Sequence, residues 1–314
     1  MSSLRPVSGT AEEVGALLRA WDAAEDPEPL VIETSGSTGQ PKRVMLSRDA
    51  VRASALATVA RLGGPGTWDL NLPPTYVAGV QVLYRNIVAP GDRRYLSLVP
   101  TQLVRRVSDA SLREYDAVLV GGGPLDPRVR AAAEDFGIRV VQTYGMSETC
   151  GGCVYDGVPL DGVAVKISAE GEVLIGGPVL FDGYEGEPAR TAAVLDHGWL
   201  RTNDLGRLDE DGRLQVLGRV DDVIISGGVK VPPVAVVRQI QAHAGVAAVE
   251  VVGVPDDEWG ERVVALVVGS ASLEELRDLV TPREWAPRQL VLVDEIPLLG
   301  NGKVDRRALR ELVR

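Results

Sequence analysis

Apolar runs of strand length alternate with helix-length segments through the first part of the chain. The apolar runs include Leu30–Ile32, Tyr95–Val99 and Ala117–Val120, and apolar residues at helical spacing mark Ala50–Leu62 and Pro127–Phe136. Strands that alternate with helices favour βαβ units, in which neighbouring strands run parallel. The pattern therefore predicts a mostly parallel sheet covered by helices.

The pattern changes after Gly151. Short runs of alternating polar and apolar residues are separated there by Asp-Gly and Glu-Gly pairs, which is typical of hairpins. Strand and helix patterns resume near Asp222 and include a helix at Val234–Ala244. We therefore predict an α/β fold with two domains. Residues 1–220 are expected to form a large N-terminal domain of helix-covered sheets plus a short antiparallel β region, and residues 221–314 a smaller α+β C-terminal domain.

Two helices begin with the spacing of a capping box, in which a hydroxyl and a glutamate three residues later cap each other's backbone. One pairs Thr10 with Glu13, and the other pairs Ser272 with Glu275.

The short apolar run Ile138–Val141 predicts a strand that follows the Pro127–Phe136 helix.

Charge and composition exclude several classes of partner. The 314 residues carry 33 basic and 44 acidic side chains, for a net charge of −11, whereas nucleic acids and anionic membranes attract a basic face. No run approaches the roughly 18 apolar residues that a membrane span needs. Residues 1–6 lack a charged-then-apolar signal segment. These features predict a cytoplasmic enzyme without nucleic-acid or integral membrane contacts.

A loop of small polar residues and glycines follows the strand at Leu30. It reads Thr34-Ser35-Gly36-Ser37-Thr38-Gly39-Gln40-Pro41-Lys42. Glycines let backbone N–H groups converge on an anion, hydroxyls add donors, and the lysine adds charge. Only four lysines occur among the 33 basic residues, so a lysine in such a loop indicates a chemical role. The loop predicts a polyphosphate site, although it lacks the Gly-Lys-Ser/Thr of a P-loop.

Seven segments resemble the motifs of the adenylate-forming superfamily, which comprises acyl-CoA synthetases, luciferases and peptide-synthetase adenylation domains. They are Thr34–Lys42, Gly121–Leu125, Tyr144–Thr149, Gly198–Asp204, Gly218–Asp222, Ser226–Pro232 and Leu299–Lys303. All seven occur in the family's order and extend over most of the chain. The resemblance implies an enzyme that joins a carboxylate to AMP with release of pyrophosphate and then transfers the acyl group to a thiol.

The resemblance also implies roles for single residues. ATP phosphates would be held by Thr34, Ser35, Gly36, Ser37, Thr38, Gly39 and Lys42. Ser147 would contact the α-phosphate, and Glu148 would bind Mg²⁺. The adenine and ribose would be bound by Gly121, Gly122, Gly123, Pro124, Tyr144, Asp204 and Arg219. Lys303 would bridge the carboxylate and the α-phosphate, where cations offset the repulsion between two anions.

Further residues are implied for the second half-reaction and for the acyl group. Asp221 matches the interdomain hinge, which implies that the smaller C-terminal domain is mobile, and Gly227 and Gly228 would face CoA. The acyl group would be bound by Tyr76, Gly79, Arg85 and Gly145. Many family members carry a histidine where this chain has Tyr76.

Arg85 is a lone charge in an apolar helical stretch, where an unpaired arginine is costly. It either pairs with an acid or binds a second substrate carboxylate. An aromatic dicarboxylate such as 2-succinylbenzoate carries that group. Leu98–Leu103 and Thr143–Gly157 also resemble the 2-succinylbenzoate–CoA ligases of menaquinone biosynthesis, whose actinobacterial members are similarly compact and Arg-rich. The resemblance thus implies ATP and CoA as co-substrates and 2-succinylbenzoyl-CoA as product.

Several alternatives stay open on the sequence alone. The acid could be another aryl or short acyl group, the acceptor could be a carrier-protein thiol, or the chain could be a nucleotide-binding sensor. Cys150 and Cys153 have CxxC spacing, which also suits a redox or zinc site. The role of Lys230 is undetermined. Little sequence precedes the phosphate loop, which leaves both a monomer and a homodimer open.

Overall fold

A computed structural model describes residues 4–34, 41–297 and 304–313. The helices are α1 Ala11–Ala23, α2 Arg48–Leu62, α3 Val77–Val88, α4 Pro100–Arg106, α5 Pro127–Asp135, α6 Pro188–Val194, α7 Pro233–Ile240, α8 Leu273–Leu279 and α9 Arg306–Glu311. Short 3-10 turns occur at Ala110–Glu114, Ser147–Thr149, Val220–Asp222 and Arg283–Trp285.

The strands range from two residues to the eleven of β17. They are β1 Leu30–Thr34, β2 Lys42–Leu46, β3 Gly66–Asp69, β4 Arg93–Leu98, β5 Ala117–Val120, β6 Val140–Met146, β7 Gly151–Tyr155, β8 Val158–Pro159, β9 Ala164–Ile167, β10 Glu172–Gly176, β11 Gly183–Tyr184, β12 Leu195–Asp196, β13 Trp199–Leu208, β14 Leu214–Arg219, β15 Ile224–Ser226, β16 Val229–Val231, β17 Val246–Asp256, β18 Gly260–Gly269 and β19 Gln289–Leu292.

The chain divides into two compact units. The larger unit comprises Met1–Ser168, Leu174–Thr202 and Leu208–Leu214, and the smaller unit comprises Ala169–Val173, Asn203–Arg207 and Gln215–Arg314. No helix in the described ranges is long and apolar enough to cross a membrane.

The predicted parallel sheet lies in the larger unit. Its strand order is β3–β4–β5–β6–β7–β8, and the first four strands are mutually parallel. All residues of β5, Ala117–Val120, are buried, as expected for a strand covered on both faces. β7 and β8 then add antiparallel pairs. The sheet therefore changes direction at β6, which carries Tyr144 and Gly145.

Strand β1 does not belong to this sheet. It pairs antiparallel with β2, and β2 also pairs antiparallel with β11. A parallel partner would require a crossover of about a dozen residues or more, and only residues 35–41 separate the two strands. Buried Leu30, Ile32, Val44 and Leu46 from this sheet pack with α1 and α3 in one core.

Further strands follow the parallel sheet in the chain. They form a sheet of order β12–β13–β10–β9, with β14 paired to β13. β12 and β13 are antiparallel. The hairpin-like sequence after Gly151 thus correctly indicated short paired strands.

The smaller unit contains a sheet of order β16–β15–β18–β17, with β19 parallel to β18. Its core contains Val236 and Ile240 from α7 and Val263 and Val267 from β18.

Helix starts agree with the capping predictions, whereas the ends of two elements differ by more than two residues from the predicted ones. In both capping boxes the backbone and side-chain bonds are present, at Thr10 and at Ser272. Helix α7 ends at Ile240 rather than Ala244, because the chain turns where Gly245 N donates to His243 Nδ1 at 3.0 Å. Strand β6 runs from Val140 to Met146, beyond the predicted Ile138–Val141, because β7 pairs with Thr143–Met146.

Candidate active site

The predicted phosphate loop begins where β1 ends and closes where β2 begins. Thr34, the last residue of β1, lies opposite Lys42, the first residue of β2. The Lys42 Nζ atom is 5.7 Å from the ring centroid of Tyr184, which belongs to β11. The pairing of β1 with β2 therefore places the two ends of the loop side by side. The other predicted loop residues lie outside the described ranges, namely Ser35, Gly36, Ser37, Thr38 and Gly39.

Glu148 accepts a hydrogen bond from Tyr184, the tyrosine that also lies near Lys42. It lies in the 3-10 turn Ser147–Thr149, directly after β6. The Tyr184 hydroxyl donates a 2.8 Å hydrogen bond to the Glu148 carboxylate. Burial and the nearby negative charge of Glu148 raise the pKa of Tyr184, so its hydroxyl stays protonated. Tyr184 thus contacts both the predicted metal ligand and the lysine at the start of β2.

The turn that carries Ser147 and Glu148 is fixed by Thr149. The Thr149 side chain is buried. Its Oγ1 accepts a bond from Met146 N at 2.9 Å and donates to the Gly151 carbonyl at 2.7 Å. These bonds fix the backbone on both sides of Glu148.

The donor set at Glu148 fits a magnesium ion. Mg²⁺ is usually bound through one or two carboxylates together with substrate phosphates and water. Tyr184 contacts both the Glu148 carboxylate and the cation Lys42, and a carboxylate and a lysine around one tyrosine suit a metal-bound phosphate chain. Within the described part of the chain, no group of three or more His, Cys, Asp or Glu residues is placed to hold a metal by itself. The residues therefore suit a metal that binds together with a polyphosphate.

Gly121–Pro124 and Tyr144 lie at the carboxyl edge of the parallel sheet, where open α/β sheets bind their ligands. β5 and β6 are adjacent, with Val120 opposite Gln142. Gly121 accordingly lies against Thr143, since a Cβ at Gly121 would be 2.2 Å from Thr143 Oγ1. The register brings the predicted adenine residues of two strands together.

Of the predicted acyl residues, Tyr76 is the most exposed. It precedes α3 and is 58% exposed, while Gly79 lies in the first turn of that helix. Tyr76 and Thr34 line a cavity of about 420 Å³. Gly145 lies at a shift in the β6–β7 register, and a Cβ there would be 2.0 Å from the Gly151 carbonyl oxygen. The close approach of β6 and β7 therefore requires glycine at position 145.

Arg85 is buried without a carboxylate partner among the described residues. It is 4% exposed. Its guanidinium lies 4.5 Å from the Trp68 ring centroid, and Nη2 donates to Thr58 Oγ1 at 3.2 Å. Burial lowers the pKa of Arg85, and its Nε is buried without an acceptor in the described residues. Of the two sequence-based alternatives for Arg85, pairing with an acid is not observed.

The predicted ribose and hinge residues lie together in the smaller unit. Arg219 Nη1 is 3.6 Å from Asp204 Oδ1, and its Nη2 is 3.4 Å from Asp221 Oδ2. Asn203 donates a 2.6 Å hydrogen bond to the same Asp221 oxygen. Asp204 is 8% exposed. One arginine therefore links the predicted ribose ligand to the predicted hinge residue.

Gly227 and Gly228 form the turn of the β15–β16 hairpin. Ser226 lies opposite Val229, and the two glycines between them have φ of +61° and +79°. Two positive φ values are characteristic of a type I′ turn, which favours glycine. The hairpin itself thus accounts for both glycines. Lys230 lies on β16 and is exposed, and Lys303 lies outside the described residues.

The Cys150/Cys153 pair is buried and reduced. Both thiols are free and fully buried. Burial raises the pKa of Cys150 and raises that of Cys153 to about 12. Because the thiolate is the reactive form, these positions disfavour thiol chemistry.

Comparison with known proteins identifies the family. The sequence model of AMP-binding enzymes matches residues 65–185, and that of the AMP-binding enzyme C-terminal domain matches residues 238–303. A probable 2-succinylbenzoate–CoA ligase of Mycobacterium tuberculosis H37Rv is 43% identical over 95% of this chain and 88% of its own length. This chain belongs to the AMP-binding, adenylate-forming enzyme family.

Solved structures of the adenylate-forming family have the same fold. An amide bond synthetase from Marinactinospora thermotolerans superposes with a TM-score of 0.80 at 29% identity, covering 90% of this chain and 69% of that one. The o-succinylbenzoate CoA synthetase of Bacillus subtilis, in complex with its acyl-adenylate intermediate, superposes with a TM-score of 0.76 at 27% identity, covering 89% and 68%. The predicted α/β fold class is confirmed.

Sequence reasoning missed Tyr184 in this adenylate-forming chain. Tyr184 is separated from Glu148 by 36 positions, and only the pairing of β11 with β2 brings it to the site. A tyrosine after glycine, within the polar stretch Asp182–Glu187, was the one sequence feature that could have drawn attention to Tyr184. Nothing in the local pattern connects this tyrosine with Glu148. Thr149 and Asn203 lie within motifs that the sequence showed, but their hydrogen-bond partners are evident only from the structure.

Proposed function

We propose that this protein is an ATP-dependent CoA ligase that converts 2-succinylbenzoate into 2-succinylbenzoyl-CoA through an acyl-adenylate, in menaquinone biosynthesis. The observation that carries the proposal is the 43% identity, over 95% of the chain, to a protein of that name. In the first half-reaction the carboxylate attacks the α-phosphorus of ATP, and pyrophosphate leaves. In the second, the CoA thiol attacks the acyl carbonyl and AMP leaves.

The larger unit would bind the ATP phosphates and the base. Lys42 and the loop that begins at Thr34 would contact the β- and γ-phosphates, and Ser147 the α-phosphate. Gly121–Pro124 and Tyr144 would enclose the adenine. Glu148 would be the protein ligand of Mg²⁺, which when bound neutralises phosphate charge. The hydrogen bond from Tyr184 supports this role because it orients the carboxylate before ATP arrives.

Asp204 and Arg219, which precede the proposed domain boundary, would supply the ribose ligands, and Asp221 and Lys303 would supply the hinge and the catalytic lysine. Asp204 would accept the ribose hydroxyls with the help of Arg219, and Lys303 would neutralise charge during adenylation. We propose domains at residues 1–220 and 221–314, with rotation about Asp221 between the half-reactions. The contact of Arg219 with both Asp204 and Asp221 supports a connection between ribose binding and the hinge. Gly227 and Gly228 would then face the pantetheine arm of CoA.

The acyl pocket would include Tyr76, Gly79 and Gly145, with Arg85 as the group that receives the second carboxylate. Arg85 has a buried charge and a buried Nε without an acceptor in the described residues. Both features are offset when an anion binds, because a guanidinium binds a carboxylate with two parallel hydrogen bonds. The proposal also assigns the protein to the cytoplasm, where ATP and CoA occur, and leaves open whether it is a monomer or a homodimer.

The two half-reactions can be tested separately with a Lys303→Ala variant. We expect this variant to lose ATP–pyrophosphate exchange driven by 2-succinylbenzoate and to retain conversion of supplied acyl-adenylate and CoA into thioester. Equal loss of both steps would contradict the proposed role of Lys303. ATP binding by the unaltered protein without any pyrophosphate release would instead favour a nucleotide sensor.

A further inference from the structure

A cavity within the smaller unit is lined by two arginines that the proposed reaction does not use. Its volume is about 320 Å³. Arg207 reaches it from β13 and Arg238 from α7, and Trp285 and Gln215 are also in its wall. All of these residues belong to the smaller unit; Arg207 and Gln215 precede the proposed hinge residue Asp221, whereas Arg238 and Trp285 follow it.

Among the described residues, no carboxylate pairs with either of the two guanidinium groups. Neither forms an ion pair within the described ranges, and no Asp or Glu lines the cavity. Arg207 donates from Nε to Gln215 Oε1 at 3.0 Å, and Arg238 donates from Nη2 to the Val216 carbonyl at 3.3 Å. A guanidinium has five N–H donors, so both side chains retain donors for another acceptor.

Arg238 is partly buried and lies near the like charge of the exposed Arg207. Burial, followed by the nearby positive charge of Arg207, lowers the pKa of Arg238. Like charges that approach each other repel, and partial burial strengthens the repulsion because water screens it less. A bound anion would offset both effects.

We propose that this cavity binds the phosphate group of a small molecule. The planar guanidinium fork matches phosphate geometry, and two forks from neighbouring elements suit a dianion. One water occupies about 30 Å³ in the liquid, so the cavity holds a phosphate together with an attached organic group. The half-buried Trp285 ring provides an apolar wall for that group.

Calorimetric titration of the full chain tests the site with two probes, inorganic phosphate and adenosine 3′,5′-bisphosphate. Because the ATP loop also attracts phosphate, the titrations use a Lys42→Ala background. We expect saturable binding of at least one probe, and Arg238→Gln or Arg207→Gln to weaken it about tenfold or more. Arg310→Gln, which removes an exposed arginine of the same unit, is the matched control and should bind as the parent does.

The outcomes separate the sources of the phosphate. Binding of inorganic phosphate supports a site for the free ion, and binding of the bisphosphate alone supports a phosphorylated nucleotide. Arg207→Lys keeps the charge but loses the fork and should also bind more weakly. No saturable binding of either probe, or equal affinity in Arg238→Gln and the parent with both folded by thermal unfolding, would overturn the proposal.

Discussion

Replacing Tyr184 by phenylalanine removes one hydroxyl from the proposed metal site and little else. The ring keeps its edge contact with Phe181, whose centroid is 5.0 Å away. What is lost is the 2.8 Å hydrogen bond to the Glu148 carboxylate. A hydrogen bond to a charged group contributes about 1.5–3 kcal/mol. Glu148 is half-buried, and water replaces part of the loss, so the lower end of that range applies.

A loss of about 1.5 kcal/mol corresponds to about a tenfold change in an equilibrium or rate constant. We therefore expect Tyr184→Phe to lower kcat/KM for Mg-ATP about tenfold in ATP–pyrophosphate exchange. The Mg²⁺ concentration at half-maximal rate should rise, because a less ordered Glu148 binds the metal less well. Measuring the exchange rate as a function of Mg²⁺ concentration distinguishes a role in positioning the carboxylate from a simple loss of protein stability.

Tyr95→Phe is the matched control. Tyr95 is another buried tyrosine of the larger unit, and its hydroxyl donates to the Gly64 carbonyl at 2.9 Å. Its loss should reduce stability by about 1 kcal/mol without changing the Mg²⁺ response. In a Glu148→Gln background, Tyr184→Phe should have a much smaller effect on exchange. The same Mg²⁺ response in Tyr184→Phe and Tyr95→Phe would refute the positioning role.

Three further predictions concern stability and specificity. Gly228→Ala should lower the free energy of unfolding in urea by about 1–2 kcal/mol because of its positive φ, and Gly227→Ala by more, since its Cβ would also be 2.8 Å from Trp259 Cε3; equal losses would refute the packing argument. Arg85→Met should raise KM for the dicarboxylate far more than KM for ATP, with a stability loss below about 1 kcal/mol, because a buried unpaired charge is replaced by an apolar chain of similar volume; unchanged KM values with a large loss of stability would make Arg85 structural. The raised pKa of Cys153 implies that the folded state retains the thiol proton where the unfolded state loses it, so stability falls as pH rises above the unfolded value of about 8.5. Cys153→Ala should lack this pH-dependent fall in the free energy of unfolding, which amounts to about 1.4 kcal/mol per pH unit between about pH 9.5 and 11. Parallel profiles of unfolding free energy against pH for the two proteins would contradict the raised pKa of Cys153.

The sequence predicted what depends on local pattern. The apolar run Ala117–Val120 became a buried central strand because a strand covered by helices on both faces needs apolar residues throughout. The capping boxes at Thr10 and Ser272 formed because all of their bonds lie within one turn. The family motifs likewise indicated candidate residues that the structure then placed in local groups, such as Asp204 with Arg219.

Features that depend on distant pairing were not predictable in the same way. The antiparallel sheet of β1, β2 and β11 brings Tyr184 next to Lys42 and Glu148, and no local spacing encodes that contact. The second half of β6, Thr143–Met146, is a strand because β7 pairs with it, not because it contains an apolar run of its own. The pattern around Arg85 indicated a buried charge, but only the tertiary packing shows Trp68 and Thr58 beside it. The domain boundary and the roles of the site residues remain predictions.

The most direct test of the proposed function is ATP–pyrophosphate exchange by the purified protein with a panel of acids. The panel contains 2-succinylbenzoate, benzoate and several amino acids, and CoA is then added to detect thioester and AMP. We predict exchange with 2-succinylbenzoate well above the other acids, followed by CoA-dependent formation of 2-succinylbenzoyl-CoA. Exchange driven by benzoate or amino acids but not by 2-succinylbenzoate would contradict the proposed substrate.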